Sequence, residues 1–364
     1  MSYNPILPRP QGTNISKLRE FLNQSKSMVI VGDSITEGSN ASDYRNDGFV
    51  GILRKAIQLE YDTLNHGFEN LRADTNAVNK YHTVTLSGFA NSLDDGYYGG
   101  TGCGSSINGG YVQVNFTGKS CKLAYQKLWN GGVFDVELDG VVVSQVYTSV
   151  TNVTDNYSTS TPINAETNGS HVIKFIKKDA NPTTLLGVEY YEDLSIVKPC
   201  LHNVGRSSMR ASRIINSVID IYCTNGIVIL CLGVNDHNNL ESLATFQTKL
   251  ELFADNIKEK NGFLLLCDFM FDNNQLSTNS PQVTSKPYKD VIKKVALMYP
   301  EFDYIDFANV WFNDTQKNKD SGLLSSDGIH PTVIGHESIA NEILKHIGLP
   351  YTKQMLIKLP VVRV

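Results

Sequence analysis

Four short apolar runs limit the fold of this chain more than any other feature. Met28–Val31, Ile227–Leu232, Phe263–Asp268 and Tyr304–Phe307 are each of strand length and largely unbroken by polar residues. Continuous apolar character, as opposed to alternation, belongs to strands buried on both faces, the condition of a parallel sheet. Helical periodicity appears in Phe49–Leu59, Ser212–Tyr222, Leu243–Lys258, Pro287–Met298 and Val333–His346. Strand–helix alternation of this kind predicts right-handed crossovers and an α/β domain of three layers.

A second texture interrupts the first. Residues 80–195 are rich in Gly, Tyr, Val and Thr and lack helical periodicity. Tyr111–Phe116 alternates like a strand, and His171–Ile176 and Leu185–Tyr191 are further strands. Asp139-Gly140 between two apolar stretches is a hairpin turn. Several strands with turn residues between them predict a β-sandwich. Because it splits the α/β pattern after its first strand–helix unit, it reads as an insertion, which a sandwich with neighbouring termini allows. The expected organisation is therefore 1–79 and 196–348 as two parts of one α/β domain, 80–195 as the insert, and 349–364 as an extended tail.

Bulk properties narrow the function. The 364 residues suffice for a catalytic domain and one further module, and the net charge is −5. An acidic chain argues against nucleic acid and against an anionic membrane surface as partners. No apolar run approaches the roughly 20 residues of a membrane helix. The first residues carry no basic-then-apolar pattern, so no signal peptide is expected, leaving a virion tail or the cytoplasm as locations. The six cysteines contain no C-x-x-C spacing. Buried free thiols are the expectation, with a Cys103–Cys121 disulfide left open. No spacing of His, Cys, Asp and Glu suggests a metal, and no cofactor is expected.

The chemistry-bearing residues stand at strand ends and helix starts. Gly32-Asp33-Ser34 follows the first apolar run, where an open parallel sheet collects its functional groups. Gly32 is expected to permit a tight turn there. A serine hydroxyl needs a base to become a nucleophile, and His330 in Asp327-Gly-Ile-His330-Pro331 is the candidate. Pro331 is expected at the first helical position, fixing how His330 projects. Asp327 is placed to accept the imidazole N–H and hold its tautomer. Oxyanion donors are expected from the Asn235 side chain in Gly233-Val-Asn235-Asp236, the backbone N–H of Gly205, where a side chain would block approach, and the N–H of Ser34. Among the other histidines, His336 is read as surface or packing and His237 as packing or pocket lining. His66 and His82 have no evident partner.

Gly32-Asp33-Ser34, Gly205, Gly233-x-Asn235-Asp236 and Asp327-x-x-His330 resemble, in order, the four blocks of the SGNH hydrolase superfamily, also called GDSL esterases. The resemblance implies a flavodoxin-like fold. It also implies metal-free ester hydrolysis through an acyl-serine, with Ser34 as nucleophile, His330 as base and Asp327 as its orienter. Ser34, Gly205 and Asn235 would be the oxyanion donors. The insert resembles the carbohydrate-binding-type insertions of some SGNH acetylesterases and of phage tail proteins that de-O-acetylate host glycans. Its aromatics Tyr97, Tyr98, Tyr111, Tyr125, Trp129, Phe134 and Tyr147 are either sandwich core or sugar platforms.

The function that follows is removal of O-acetyl groups from a polysaccharide, with the acetylated polysaccharide as partner and a homo-oligomer or virion tail partner compatible with it. Two alternatives stay open. One is an esterase or lipase on small or lipid esters, disfavoured by the absence of an extra amphipathic helix to serve as a lid. The other is a non-catalytic glycan-binding or structural tail protein.

Overall fold

The computed structural model describes residues 15–24, 27–43, 46–71, 83–93, 101–151, 157–214, 221–269 and 284–349. The chain opens with helix α1 (Ile15–Asn23), strand β1 (Met28–Gly32), the one-turn helix α2 (Ser34–Glu37) and helix α3 (Phe49–Glu60). Strands β2 (Gly67–Asn70), β3 (Thr83–Ser87), β4 (Ala90–Leu93), β5 (Thr101–Ser105) and β6 (Tyr111–Gln126) follow. Then come β7 (Val133–Leu138), β8 (Val141–Tyr147), β9 (Tyr157–Thr159), β10 (Ile163–Lys177) and β11 (Thr183–Tyr191). The chain next enters β12 (Leu201–Asn203), β13 (Ile227–Cys231), α4 (Val234–Asn238), α5 (Leu243–Glu259) and β14 (Phe263–Asp268). It ends with α6 (Lys286–Met298), β15 (Asp303–Asp306), α7 (Thr315–Asp320) and α8 (Val333–His346).

Five strands form a parallel sheet in the order β12-β1-β13-β14-β15. Counted along the chain, these five run 2-1-3-4-5, the flavodoxin-like doubly wound order. Every residue of β1, β13 and β14 is buried. That is why their sequences are unbroken apolar runs: both faces are covered by helices. Helix α3 packs against α8, and α5 against α6. On α5 the buried residues Phe246, Leu250, Phe253, Ala254 and Ile257 form one stripe at helical spacing. Ser242 caps this helix by accepting the Thr245 N–H at 3.1 Å.

The predicted helices at Phe49, Leu243, Pro287 and Val333 are present, with ends shifted by at most one residue. The predicted helix Ser212–Tyr222 is not seen at its start, where Ala211–Arg213 forms a single 3-10 turn; residues 215–220 lie outside the described residues. Strand β12 was not expected. Its three residues, Leu-His-Asn, carry no strand pattern and are held by parallel pairing with Met28–Ile30.

The other ten strands form one antiparallel sheet that folds over its own core. The long strand β6 belongs to both halves. Its first part pairs with β3 and β10, and its second part with β11 and β9. Gly118, with φ 154, stands between them; a Cβ there would lie 2.6 Å from the Tyr191 carbonyl oxygen. Val112, Val114, Phe116, Leu123, Phe134, Val136, Ile173, Phe175 and Val188 fill the space between the halves. Asp139 and Gly140 form the β7–β8 hairpin turn with φ of 50 and 85, as the Asp-Gly signal predicts. Strand β2 pairs with β11, so this sheet also takes in a strand from before residue 80.

The two sheets share a core. Phe68, Ala124, Tyr157 and Leu186 of the antiparallel part pack in the same cluster as β1 and β13. A buried Arg54–Glu69 ion pair at 2.8 Å and a hydrogen bond from the Tyr222 hydroxyl to Glu189 at 2.8 Å cross the junction. Of the aromatics singled out, Tyr125 and Phe134 are core, and Tyr111 is half-buried with Lys174 Nζ 4.2 Å from its ring centre. Trp129 and Tyr147 are exposed at 69% and 62%. Tyr97 and Tyr98 lie outside the described residues. All six cysteines are free and buried, including Cys103 and Cys121.

Candidate active site

Ser34 lies just beyond the end of β1 and Asn235 in the short helix after β13, neighbouring strands of the parallel sheet. This is the switch point of the 2-1-3-4-5 order, where one connection leaves toward each side and a crevice opens beyond the strand ends. The local sequence builds each corner. Gly32 is required by close packing: a Cβ would meet Thr36 Oγ1 at 2.0 Å and the Cys231 carbonyl at 2.7 Å. The expectation of a tight turn at Gly32 gives way to this reason. Asp33 is the N-cap of α2, its Oδ1 accepting the Ile35 N–H at 3.0 Å. Gly233, with φ 122, caps α4 in a conformation only glycine adopts readily.

Ser34, His330 and Asp327 are brought together. Ser34 Oγ lies 2.8 Å from His330 Nε2, and His330 Nδ1 lies 2.8 Å from Asp327 Oδ2. The loop carrying the last two is closed by a Leu324–Pro331 bridge, with Gly328 at φ 74. Pro331 is not the first helical residue. Thr332 caps α8, accepting the Gly335 N–H at 3.2 Å, and the proline instead fixes the loop end beside His330.

Asp327 is held by more than the histidine. Its Oδ1 accepts from the Ser325 hydroxyl at 2.7 Å, the Ile329 N–H at 2.8 Å and the His330 N–H at 2.9 Å. Partial burial pushes its carboxyl up. The hydrogen bonds from the His330 side chain, the two amides and Ser325 outweigh that and hold it well below the usual carboxylate range. An ionised Asp327 keeps the proton on His330 Nδ1 and leaves Nε2 to accept from Ser34.

Asn235 Nδ2 donates to Asp33 Oδ2 at 3.4 Å, leaving its second N–H for another acceptor. Burial pushes the Asp33 carboxyl up to about 7, with the negative charges of Asp236 and Glu37 adding to it against the hydrogen bond from Ile35. Asp236 rises to about 6 for the same first reason, burial; its Oδ1 accepts the Ala211 N–H at 2.9 Å.

Gly205 sits beside α2, but its N–H donates to Asn203 Oδ1 at 3.0 Å and is not presented as a free donor. The glycine is required by α2 itself: a Cβ would fall 2.6 Å from the Glu37 nitrogen. The expectation that a side chain would obstruct a substrate is corrected to this one.

Asn40 was not anticipated. With φ 68, it turns its Nδ2 to Ser325 Oγ at 3.0 Å and to Asp327 Oδ2 at 3.4 Å, tying the loop after α2 to the acid. A polar turn residue of this kind carries no sequence signal that separates it from any other. His336 is fully buried: it accepts the Phe49 N–H at 3.3 Å through Nδ1 and meets the Ser39 carbonyl at 3.0 Å through Nε2. It thereby anchors the same loop. His237 is fully buried against Tyr288, and His66 contacts Arg54 at 3.3 Å. His82 lies outside the described residues.

Among the described residues, no group of three or more His, Cys, Asp or Glu side chains is arranged to hold a metal ion, and no helix is long and apolar enough to cross a membrane.

No family model and no curated protein matches the chain. Solved structures do. A peptidoglycan O-acetylesterase structure is 14% identical and superposes with a TM-score of 0.65, over 92% of this chain and 94% of the other. The chain shares the fold of that structure. A family two carbohydrate esterase from Clostridium thermocellum is 13% identical over 73% of this chain and 100% of the other, with a TM-score of 0.28. The agreement with the peptidoglycan O-acetylesterase covers 92% of this chain, so the antiparallel part is included in the likeness.

Proposed function

We propose that this protein is a serine esterase that removes O-acetyl groups from a polysaccharide. The observation that carries the reading is the unbroken relay from Ser34 Oγ through His330 to Asp327. In this reading His330 Nε2 takes the Ser34 proton as Oγ attacks the acetyl carbonyl. The Oγ–C bond forms and the carbonyl π pair moves onto oxygen. The imidazolium, steadied by Asp327, then protonates the departing sugar oxygen as the C–O bond breaks. A water, deprotonated by His330, attacks the acetyl-serine; acetate leaves and Ser34 recovers its proton. Ser34 N–H and the second Asn235 N–H are the oxyanion donors of this proposal, and one such donor is worth about 10²–10³ in rate.

The choice of an acetylated polysaccharide rests on two supports. The small acyl group needs no lid or long apolar groove. The fold is also shared across both sheets with a peptidoglycan O-acetylesterase, which makes O-acetylated peptidoglycan the first substrate to try. The test is acetate release from peptidoglycan and from O-acetylated bacterial and plant polysaccharides, with Ser34→Ala as control. Release from one polymer, absent in the variant, is the expected result. Hydrolysis of small nitrophenyl esters with no release from any polymer would overturn the polysaccharide assignment.

A further inference from the structure

We infer that a pocket at the opposite end of the parallel sheet from Ser34 binds a small carboxylate that carries hydroxyl groups, held by the ammonium of Lys122. The inference does not depend on the esterase reading.

Ser27 immediately precedes β1, and Thr224 and Asn225 precede β13, so they stand at the end of the sheet where its strands begin. Ser34 stands at the other end, roughly 20 Å away by the rise of an extended strand. Against the first end lies the antiparallel sheet, with Lys122 on β6, Thr159 at the end of β9, and Glu189 and Tyr191 on β11. Between the two is a pocket of about 420 Å³, also lined by His202 and Tyr222. That volume is within the range of small-molecule sites.

Lys122 and Glu189 are direct partners in the β6–β11 register, so their side chains leave the sheet on the same face. Opposite charges placed this way ordinarily close into an ion pair. These do not. Glu189 Oε1 accepts the Tyr222 hydroxyl at 2.8 Å, and Oε2 accepts the Tyr191 hydroxyl. Lys122 Nζ stands instead 5.7 Å from the centre of the Tyr191 ring, and no acceptor meets it among the described residues. An ammonium brings only donors, and these are unspent.

His202 adds no second charge. Its Nδ1 accepts the Phe68 N–H at 3.0 Å, its Nε2 faces Cys200 Sγ at 3.2 Å, and burial pushes its pKa down to about 4. The rest of the wall is hydroxyl and amide, from Ser27, Thr159, Thr224 and Asn225. The pocket therefore offers one free cation among groups that exchange hydrogen bonds with hydroxyls, while its own carboxylate is closed by two phenols. A carboxylate is the acceptor an ammonium holds most strongly, and hydroxyls on the same ligand match the wall. An apolar ligand finds little to pack on, and a cationic one meets Lys122.

The test is titration calorimetry of the full chain with D-glucuronate, D-gluconate and L-lactate, beside D-glucose and inorganic phosphate. At least one of the three acids should bind, with glucose and phosphate at least about tenfold weaker, the worth of one charge-assisted hydrogen bond. Ser34→Ala should bind that acid as the parent does. Lys122→Met should melt close to the parent and bind at least about tenfold more weakly. Binding lost in Ser34→Ala and kept in Lys122→Met would put the ligand in the catalytic crevice and overturn the assignment. So would binding of glucose or phosphate as tight as that of the acids, or no binding of any of the three. Should Lys122→Met fail to fold, Thr159→Val takes its place and should weaken binding about threefold or more. An unchanged affinity in that variant would count against the site.

Discussion

Ser34 Oγ and His330 Nε2 lie 2.8 Å apart across a separation of 296 residues in the chain. The parallel sheet makes the meeting possible. Ser34 is delivered by β1, while His330 sits on the loop before α8, and α8 packs against α3, the long helix that follows Ser34. The contact needs both ends of the α/β domain in place, so it reports on the whole domain as well as on the site.

Asp327→Asn should leave the loop closed and impair the histidine. The amide oxygen can still accept the Ile329 and His330 N–H groups, but its NH₂ would face His330 Nδ1 and favour the wrong tautomer. We expect kcat to fall by about 10³–10⁴ with a small change in melting temperature. Full activity in this variant would show that Asp327 serves the loop and not the histidine.

Asn235→Ala removes the side-chain donor and leaves Asp33 capping α2. The expected result is a drop in kcat of about 10²–10³ with KM nearly unchanged, since the interaction forms only in the transition state. A change in KM alone would make Asn235 a substrate contact.

Much of this was readable in advance. The unbroken apolar runs announced β1, β13 and β14 because burial on both faces leaves a compositional mark, which is weaker in the half-buried edge strand β15. Asp139-Gly140 announced its hairpin because only a few residues adopt two successive positive φ angles. Strand β12 left no mark, since a three-residue edge strand is held by its neighbour and not by its own sequence. Ser34, Asp327 and His330 were legible as residue types in order. The state of individual amides was not: that the Gly205 N–H is tied to Asn203 Oδ1 depends on backbone directions that no residue identity encodes.

Asp33→Asn tests the electrostatics of α2. Burial raises the folded-state pKa of Asp33 to about 7, well above the ordinary carboxylate range. The folded protein thus holds a proton that the unfolded chain has released, and the stability linked to this group is lost as pH rises from about 4 through about 7. An asparagine keeps the cap and has no such dependence. The variant should therefore gain melting temperature relative to the parent on going from pH 5 to pH 8. A constant difference across that range would show that Asp33 does not titrate with a raised pKa.

Arg54→Leu tests the junction between the sheets. Arg54 and Glu69 are 4% and 1% exposed and 2.8 Å apart. Removing one partner of a buried pair costs about 3–5 kcal/mol. Denaturant unfolding should show a loss of that size. A loss below about 1 kcal/mol would mean that the pair is replaceable by packing.

The central claim is that Ser34 carries the acyl group during turnover. The direct measurement is mass spectrometry of the protein quenched during steady-state hydrolysis of 4-nitrophenyl acetate, followed by peptide mapping. The account predicts one added acetyl group on the peptide containing Ser34, and none in Ser34→Ala, which should keep its fold and lose turnover. Turnover near that of the parent in Ser34→Ala, or an acetyl group on another residue during turnover, would contradict it.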